Sequence, residues 1–101
     1  MKRNKAVMYD NAMIERFKKN PSELKGYLED ALVEYQSDGN EKTFLSALSI
    51  AAKVKGGFLK LSKNTGLSRE SLYKALSKNR DPRLSTVIEV VSYLGYSFKL
   101  A

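Results

Sequence analysis

Between Ser68 and Arg83 the sequence SRESLYKALSKNRDPR spaces hydrogen-bond donors, an acceptor and an aromatic so that a helix gathers them on one face. With Leu72 and Ala75/Leu76 turned inward, a 3.6-residue period places Glu70, Tyr73, Lys74 and Ser77 outward, with Arg69 and Ser71 flanking. Such a face suits the major groove of duplex DNA, which is wide enough for one α-helix. Arg69 and Lys74 can read guanine O6 and N7, Glu70 can accept from cytosine N4, and Tyr73 can pack on a thymine methyl or reach a phosphate. Ser77 completes the base-facing set. Ser68, at the helix start, can donate to phosphate, and Lys60, Lys63, Lys78, Arg80 and Arg83 surround the face with sequence-independent affinity that weakens with salt.

To position that face, two short helices must cross at a tight turn, which describes a helix-turn-helix. The sequence predicts one helix over Phe58 to Asn64, a positive φ at Gly66, and a second helix capped by Ser68 and running to about Ser77. Leu61, Leu67, Leu72 and Ala75 fall where the two helices present apolar or small groups to each other, and Leu67 with Leu72 has the spacing of a hydrophobic staple. Pro82 stops the preceding helix from continuing. Thr86 and Glu89 then have capping-box spacing, with Leu84, Val87, Ile88, Val91 and Leu94 facing one way and Gly95 ending the helix.

Upstream, residues 1–9 look loose and Asp10 to Lys19 reads as a short first helix carrying Ile14 and Phe17. Asn20-Pro21-Ser22-Glu23 offers an N-cap, a Pro at the first helical position and a Glu at the third. Leu24, Tyr27, Leu28, Ala31, Leu32 and Tyr35 form the stripe of helix two, which Ser37-Asp38-Gly39 ends. Asn40 caps helix three, with Phe44, Leu45, Leu48, Ala51, Ala52 and Val54 inward and Gly56-Gly57 as its break. The ending Tyr96-Ser97-Phe98-Lys99-Leu100 alternates like a short half-buried strand, for which a second copy could supply the partner. The expected fold is all-α and a single domain over 1–101: an N-terminal helical segment at 10–55, a helix-turn-helix core at 57–95, and a short C-terminal strand at 96–100.

A chain of 101 residues is long enough for one modest core. Cys and His are both absent, which removes disulfides, the usual zinc ligands, thiolate nucleophiles and the commonest general base. No metal site, cofactor or small-molecule substrate is expected, and no nucleophile–base pair or phosphate loop supports an enzyme. No apolar run approaches the ~20 residues of a membrane span, and the basic N-terminus lacks an apolar region behind it; the expected location is cytoplasmic. Net charge is +7, a sign of an anionic partner. Residues 1–55 carry a balance of +2 and residues 56–101 a balance of +5, so the excess lies with the candidate face.

Plainer readings exist for each feature. A Ser-capped helix with basic outer residues is often only a solvated face, and Tyr73 can pack partly against Asn79 to Pro82. Glu29, Asp30 and Glu34 read as the wet side of helix two rather than as acid or metal chemistry, and Tyr27 and Tyr35 read as core. Hydrophobic positions on the first three helices exceed what a small DNA-binding unit needs, which leaves part of that surface for a partner. A single-strand or RNA binder would show several outward aromatics for stacking; Tyr73 is the clear one.

The run FLKLSKNTGLSRESLYKALSKNRDPRLSTVIEVVSYL from Phe58 resembles the core of the Xre, or lambda-repressor-like, regulators. More narrowly, LSKNTGLSRESLYKALS followed by DPRLSTV resembles the addiction-module antidote proteins, HigA-like antitoxins encoded beside a RelE/ParE-type toxin. ELKGYLEDALVEYQSDGNEKTFLSALSIAAKVKGG extends the likeness upstream, so it covers Tyr9 to Leu100. The resemblance implies an all-α homodimer that binds a palindromic double-stranded operator, represses its own operon and neutralises a toxin by protein contact. By motif match, DNA contact falls on Ser68, Arg69, Glu70, Tyr73, Lys74 and Ser77, with Arg83 near the backbone. Asn79-Arg80-Asp81 departs from the Gly-containing loop common in that family. The competing expectations are a stand-alone Xre-type regulator and a protein-interaction module without a toxin partner.

Overall fold

Two residues, Asn20 and Pro21, connect the first two helices, and their bonds explain how the N-terminal half starts to pack. The computed structural model describes residues 5–78 and 81–100, with side chains for 10–77 and 81–100. Helix α1 runs Lys5–Lys19 and α2 runs Ser22–Asp38. α1 thus begins five residues before the expected Asp10, because Lys5 to Tyr9 contain helix-compatible residues and no breaker.

The expected capping box at the start of α2 does not form. Pro21 is itself helical (φ −59°, ψ −29°) and makes no side-chain cap bond. The Asn20 side-chain amide instead donates back to the Arg16 carbonyl at 3.1 Å, closing α1, and the Glu23 carboxylate accepts from Arg16 Nε at 2.8 Å. At the far end Gly39 takes a left-handed φ of 73° and its amide bonds to the Tyr35 carbonyl, as a helix stop requires.

Helix α3, Glu41–Val54, is capped as its sequence predicts: the Asn40 side chain accepts from the Lys42 amide at 3.0 Å. α3 is the axis of the fold. Phe44, Leu45, Ala47, Leu48, Ser49, Ile50, Ala51 and Ala52 are all buried, the pattern of a helix covered on nearly every side. α2 and α1 pack against it from the N-terminal half, and helices α4 (Gly57–Thr65) and α6 (Leu84–Tyr93) from the C-terminal half. Tyr27 and Tyr35 pack partly buried on this core; Tyr27 lies 5.0 Å from Phe17 and Tyr35 lies 6.5 Å from Phe44, ring centre to ring centre.

One residue on α2 is not explained by folding. Gly26 sits inside the helix without a positive φ, and an added Cβ there would meet nothing within 4 Å. Gly26→Ala therefore raises unfolding free energy by about 0.5–1 kcal/mol, through helix propensity and a less mobile unfolded chain, as read by urea denaturation.

Two expectations for the last helix are corrected. α6 starts at Leu84 with Arg83 as an extended cap residue that makes no side-chain cap bond, so the Thr86/Glu89 box is absent. Its buried side is Val90, Val91 and Leu94, with Val87 packed beside them, while Leu84 is 74% and Ile88 43% exposed. At 100° per residue these two lie roughly 70–110° from the centre of the buried stripe, on its flank.

The all-α expectation stands, but the C-terminal strand does not form: residues 96–100 have no strand pairing, and no strand occurs among the described residues. The alternation of Tyr96 and Phe98 serves packing instead. Phe98 leans on Phe44 with ring centres 6.2 Å apart, and Tyr96 rests on the core. A strand needs a neighbour to share its ladder bonds, and the described residues offer none there. Burial holds the Tyr96 phenol above its ordinary pKa.

Candidate functional site

The turn between α4 and the next helix is built from side chains as well as from Gly66. Gly66 adopts φ 79° and its amide bonds to the Ser62 carbonyl at 3.0 Å. Thr65 Oγ1 donates to the Leu61 carbonyl at 2.8 Å and accepts from the Leu67 amide at 3.2 Å. Ser62 Oγ donates to the Leu67 carbonyl. Leu61, Ser62 and Thr65 before the glycine and Leu67 after it are thereby tied together, fixing the angle at which the following helix leaves.

That helix, α5, covers Arg69–Tyr73 and passes directly into one wider π turn, Lys74–Lys78. Ser68 begins it as an extended cap residue whose Oγ accepts from the Ser71 amide at 3.0 Å. Its Oγ also lies 2.8 Å from Ser71 Oγ, so the Ser68 hydroxyl is engaged in securing the helix start. Within that wider turn the adjacent Ala75 and Leu76 both face the core. Leu72 and Leu61 are wholly buried between the helices, and Leu67 is packed beside them.

The opposite side is open. Arg69, Glu70, Ser71, Tyr73, Lys74 and Ser77 are all exposed, Tyr73 at 48% of its surface. Lys74 Nζ lies 3.1 Å from Glu70 Oε1, one turn apart. The pair is solvent-exposed and contributes under about 1 kcal/mol to stability, but it moderates the positive charge that Lys74 offers to a ligand.

The surrounding cations are distributed unevenly. Lys60 and Lys63 are exposed on α4, and Arg83 is exposed at the start of α6. The stem of Lys60 covers Gly56, where a Cβ would come within 2.6 Å of Lys60 Cδ. The side chains of Lys78 and Arg80, with Asn79, lie outside the described residues. Sequence reasoning missed the bracing role of Ser62 and Thr65, whose signal was a hydroxyl at each of two helix positions before a glycine. It also missed the exposure of Leu84 and Ile88. Glu29, Asp30 and Glu34 remain exposed on α2, and no group of three acids among the described residues is placed to hold a metal ion. No helix is long and apolar enough to cross a membrane among those residues.

Comparison with known proteins places this architecture. The family model described as "Probable addiction module antidote protein" matches residues 12–101. The chain belongs to this antidote family. It is also 35% identical over 78 residues to a protein of Haemophilus influenzae described as uncharacterized, covering 77% of this chain and 75% of that one. No solved structure matches. An antidote implies a toxin of some kind as its partner, and the antidote family is in general non-enzymatic. The family description does not extend to the narrower HigA-like or Xre resemblance.

Proposed function

We propose that this antidote is the antitoxin of a type II toxin–antitoxin module, a sequence-specific DNA-binding repressor of its own operon that neutralises a RelE/ParE-like toxin in the cytoplasm. The observation that carries the DNA half of this reading is the exposed face of Arg69, Glu70, Tyr73, Lys74 and Ser77, held by a braced turn over a buried Leu61/Leu72 contact. A helix set this way can enter a major groove with its first residues at base edges while α4 crosses the backbone. Lys60, Lys63, Lys78, Arg80 and Arg83 then serve phosphates, and the local charge excess drives encounter.

A palindromic operator calls for a homodimer. Leu84 and Ile88, one turn apart and exposed on α6, provide an apolar patch for two copies to bury. The test is a fluorescence anisotropy titration of the purified chain on the DNA upstream of its own reading frame and on a scrambled duplex of equal length. At physiological salt the upstream DNA is bound about 10³-fold or more tightly than the scrambled one, and raising salt weakens both. Equal affinity for the two duplexes removes the repressor reading.

A further inference from the structure

α2 carries the opposite charge from the rest of the chain. Of its residues, Glu23, Glu29, Asp30, Glu34 and Asp38 are acidic and Lys25 alone is basic, on a protein of net +7. Glu23 pairs with Arg16 and Asp38 accepts from the Asn40 amide. No ion pair joins Glu29, Asp30 or Glu34 to another described residue.

Charge is not the face's only feature. Val33 stands among these acids at 62% exposure, although the same helix buries Leu24, Leu28 and Ala31 on its other side. Gly26, seven residues earlier and so on the same outward line, has open space around it and no conformational need to be glycine. A bare backbone at 26, an exposed apolar side chain at 33 and carboxylates at 29, 30 and 34 that no described residue pairs together describe a face made to be covered closely.

We infer that the outer face of α2 is where the antidote docks its protein partner, and that the partner's matching surface is basic with a shallow apolar centre. This inference rests on the antitoxin reading and names the surface that reading leaves unassigned. DNA does not fit, since carboxylates repel phosphates. A second copy of this chain does not fit either: a two-fold dimer sets the same patch against itself, bringing Glu29, Asp30 and Glu34 against their own equivalents. A different, basic protein satisfies the acids and buries Val33. Because α2 packs on α3 and α1, while α5 packs on α4 and continues into the turn that meets α3, docking on α2 leaves the α5 face uncovered, so partner and operator are held at once.

The experiment uses the purified product of the reading frame adjacent to this gene as the probe, with the wild-type chain, the double variant Asp30→Lys/Glu34→Lys, and Val33→Ser. Association and dissociation rates are measured by surface plasmon resonance, with thermal melts to verify folding and the upstream DNA as a second ligand. Reversing two charges slows association about tenfold or more and Val33→Ser speeds dissociation, while operator affinity is not weakened and melting temperature stays within a few degrees. Wild-type affinity of both variants for the probe overturns the inference and leaves the antitoxin reading intact. A wild-type chain that neither binds the probe nor protects cells expressing it overturns the antitoxin reading, and this inference with it. A change in the mass of the chain alone, seen by sedimentation for the α2 variants, also overturns it, by making the face a contact between copies.

Discussion

Replacing Arg69 and Lys74 together by alanine lowers affinity for the upstream DNA by about 10²–10³-fold and brings it close to the affinity for scrambled duplex. Each good base contact in the major groove carries about 1–3 kcal/mol of discrimination, and each single variant accordingly loses about 10–100-fold. Arg69→Ala has the larger effect, because Lys74 shares its charge with Glu70 at 3.1 Å and offers a single ammonium where the guanidinium offers a fork. Lys60→Ala and Lys63→Ala behave differently. Both residues are exposed on α4 beside the face, and as phosphate contacts each weakens binding to all duplexes alike and reduces the salt slope by about one. Anisotropy titrations of the double variant and the four single variants at three salt concentrations separate the two classes. A double variant that discriminates as well as the wild type contradicts the assignment.

Leu72→Ala removes a large share of the protein's stability. Leu72 has no exposed surface and lies in the continuous core with Leu61, Leu48 and Val90. Truncating such a leucine costs about 3–5 kcal/mol, the lost transfer energy together with a cavity that the surrounding helices only partly close. A domain of this size is stable by about 5–15 kcal/mol, so the loss takes a large share. Urea denaturation followed by circular dichroism reads it as a fall in the midpoint with little change of slope. Val33→Ala, 62% exposed on α2, changes the midpoint by at most a few tenths of a molar unit, which shows that the effect follows burial and not apolarity.

Much of this fold could be read from residue spacing because local chemistry decides it. Gly39, Gly56 and Gly66 end or turn helices through left-handed φ values, and Asn40 and Ser68 cap by accepting from amides two and three residues on. Leu24, Leu28, Leu48, Leu61 and Leu72 recur at helical spacing and are buried. What escaped depends on contacts between distant elements. Glu23 has the spacing of a capping residue, but Arg16 on the preceding helix takes its carboxylate. Leu84 and Ile88 belong by period to the apolar stripe of α6, yet α4 and α3 cover only the side of Val90, Val91 and Leu94. The alternation at Tyr96 and Phe98 matches a strand, and only the absence of a neighbour distinguishes packing from pairing.

The candidate face was legible in part. The inward pair of Leu72 and Ala75 fixes which side chains of α5 point out, and the structure leaves those residues exposed. The π turn at Lys74–Lys78 was not visible, since no Gly or Pro in KALSK marks a departure from a regular helix. Turns of this kind are frequent at functional positions.

The most direct test is nuclear magnetic resonance of the isotope-labelled protein titrated with its upstream DNA at physiological salt. The account predicts that the largest backbone shift changes cluster from Ser68 to Ser77, with smaller ones at Lys60 and Lys63 and none on the outer side of α2. Changes concentrated at Asp30 and Val33, with Arg69, Tyr73 and Lys74 unmoved at saturation, contradict it.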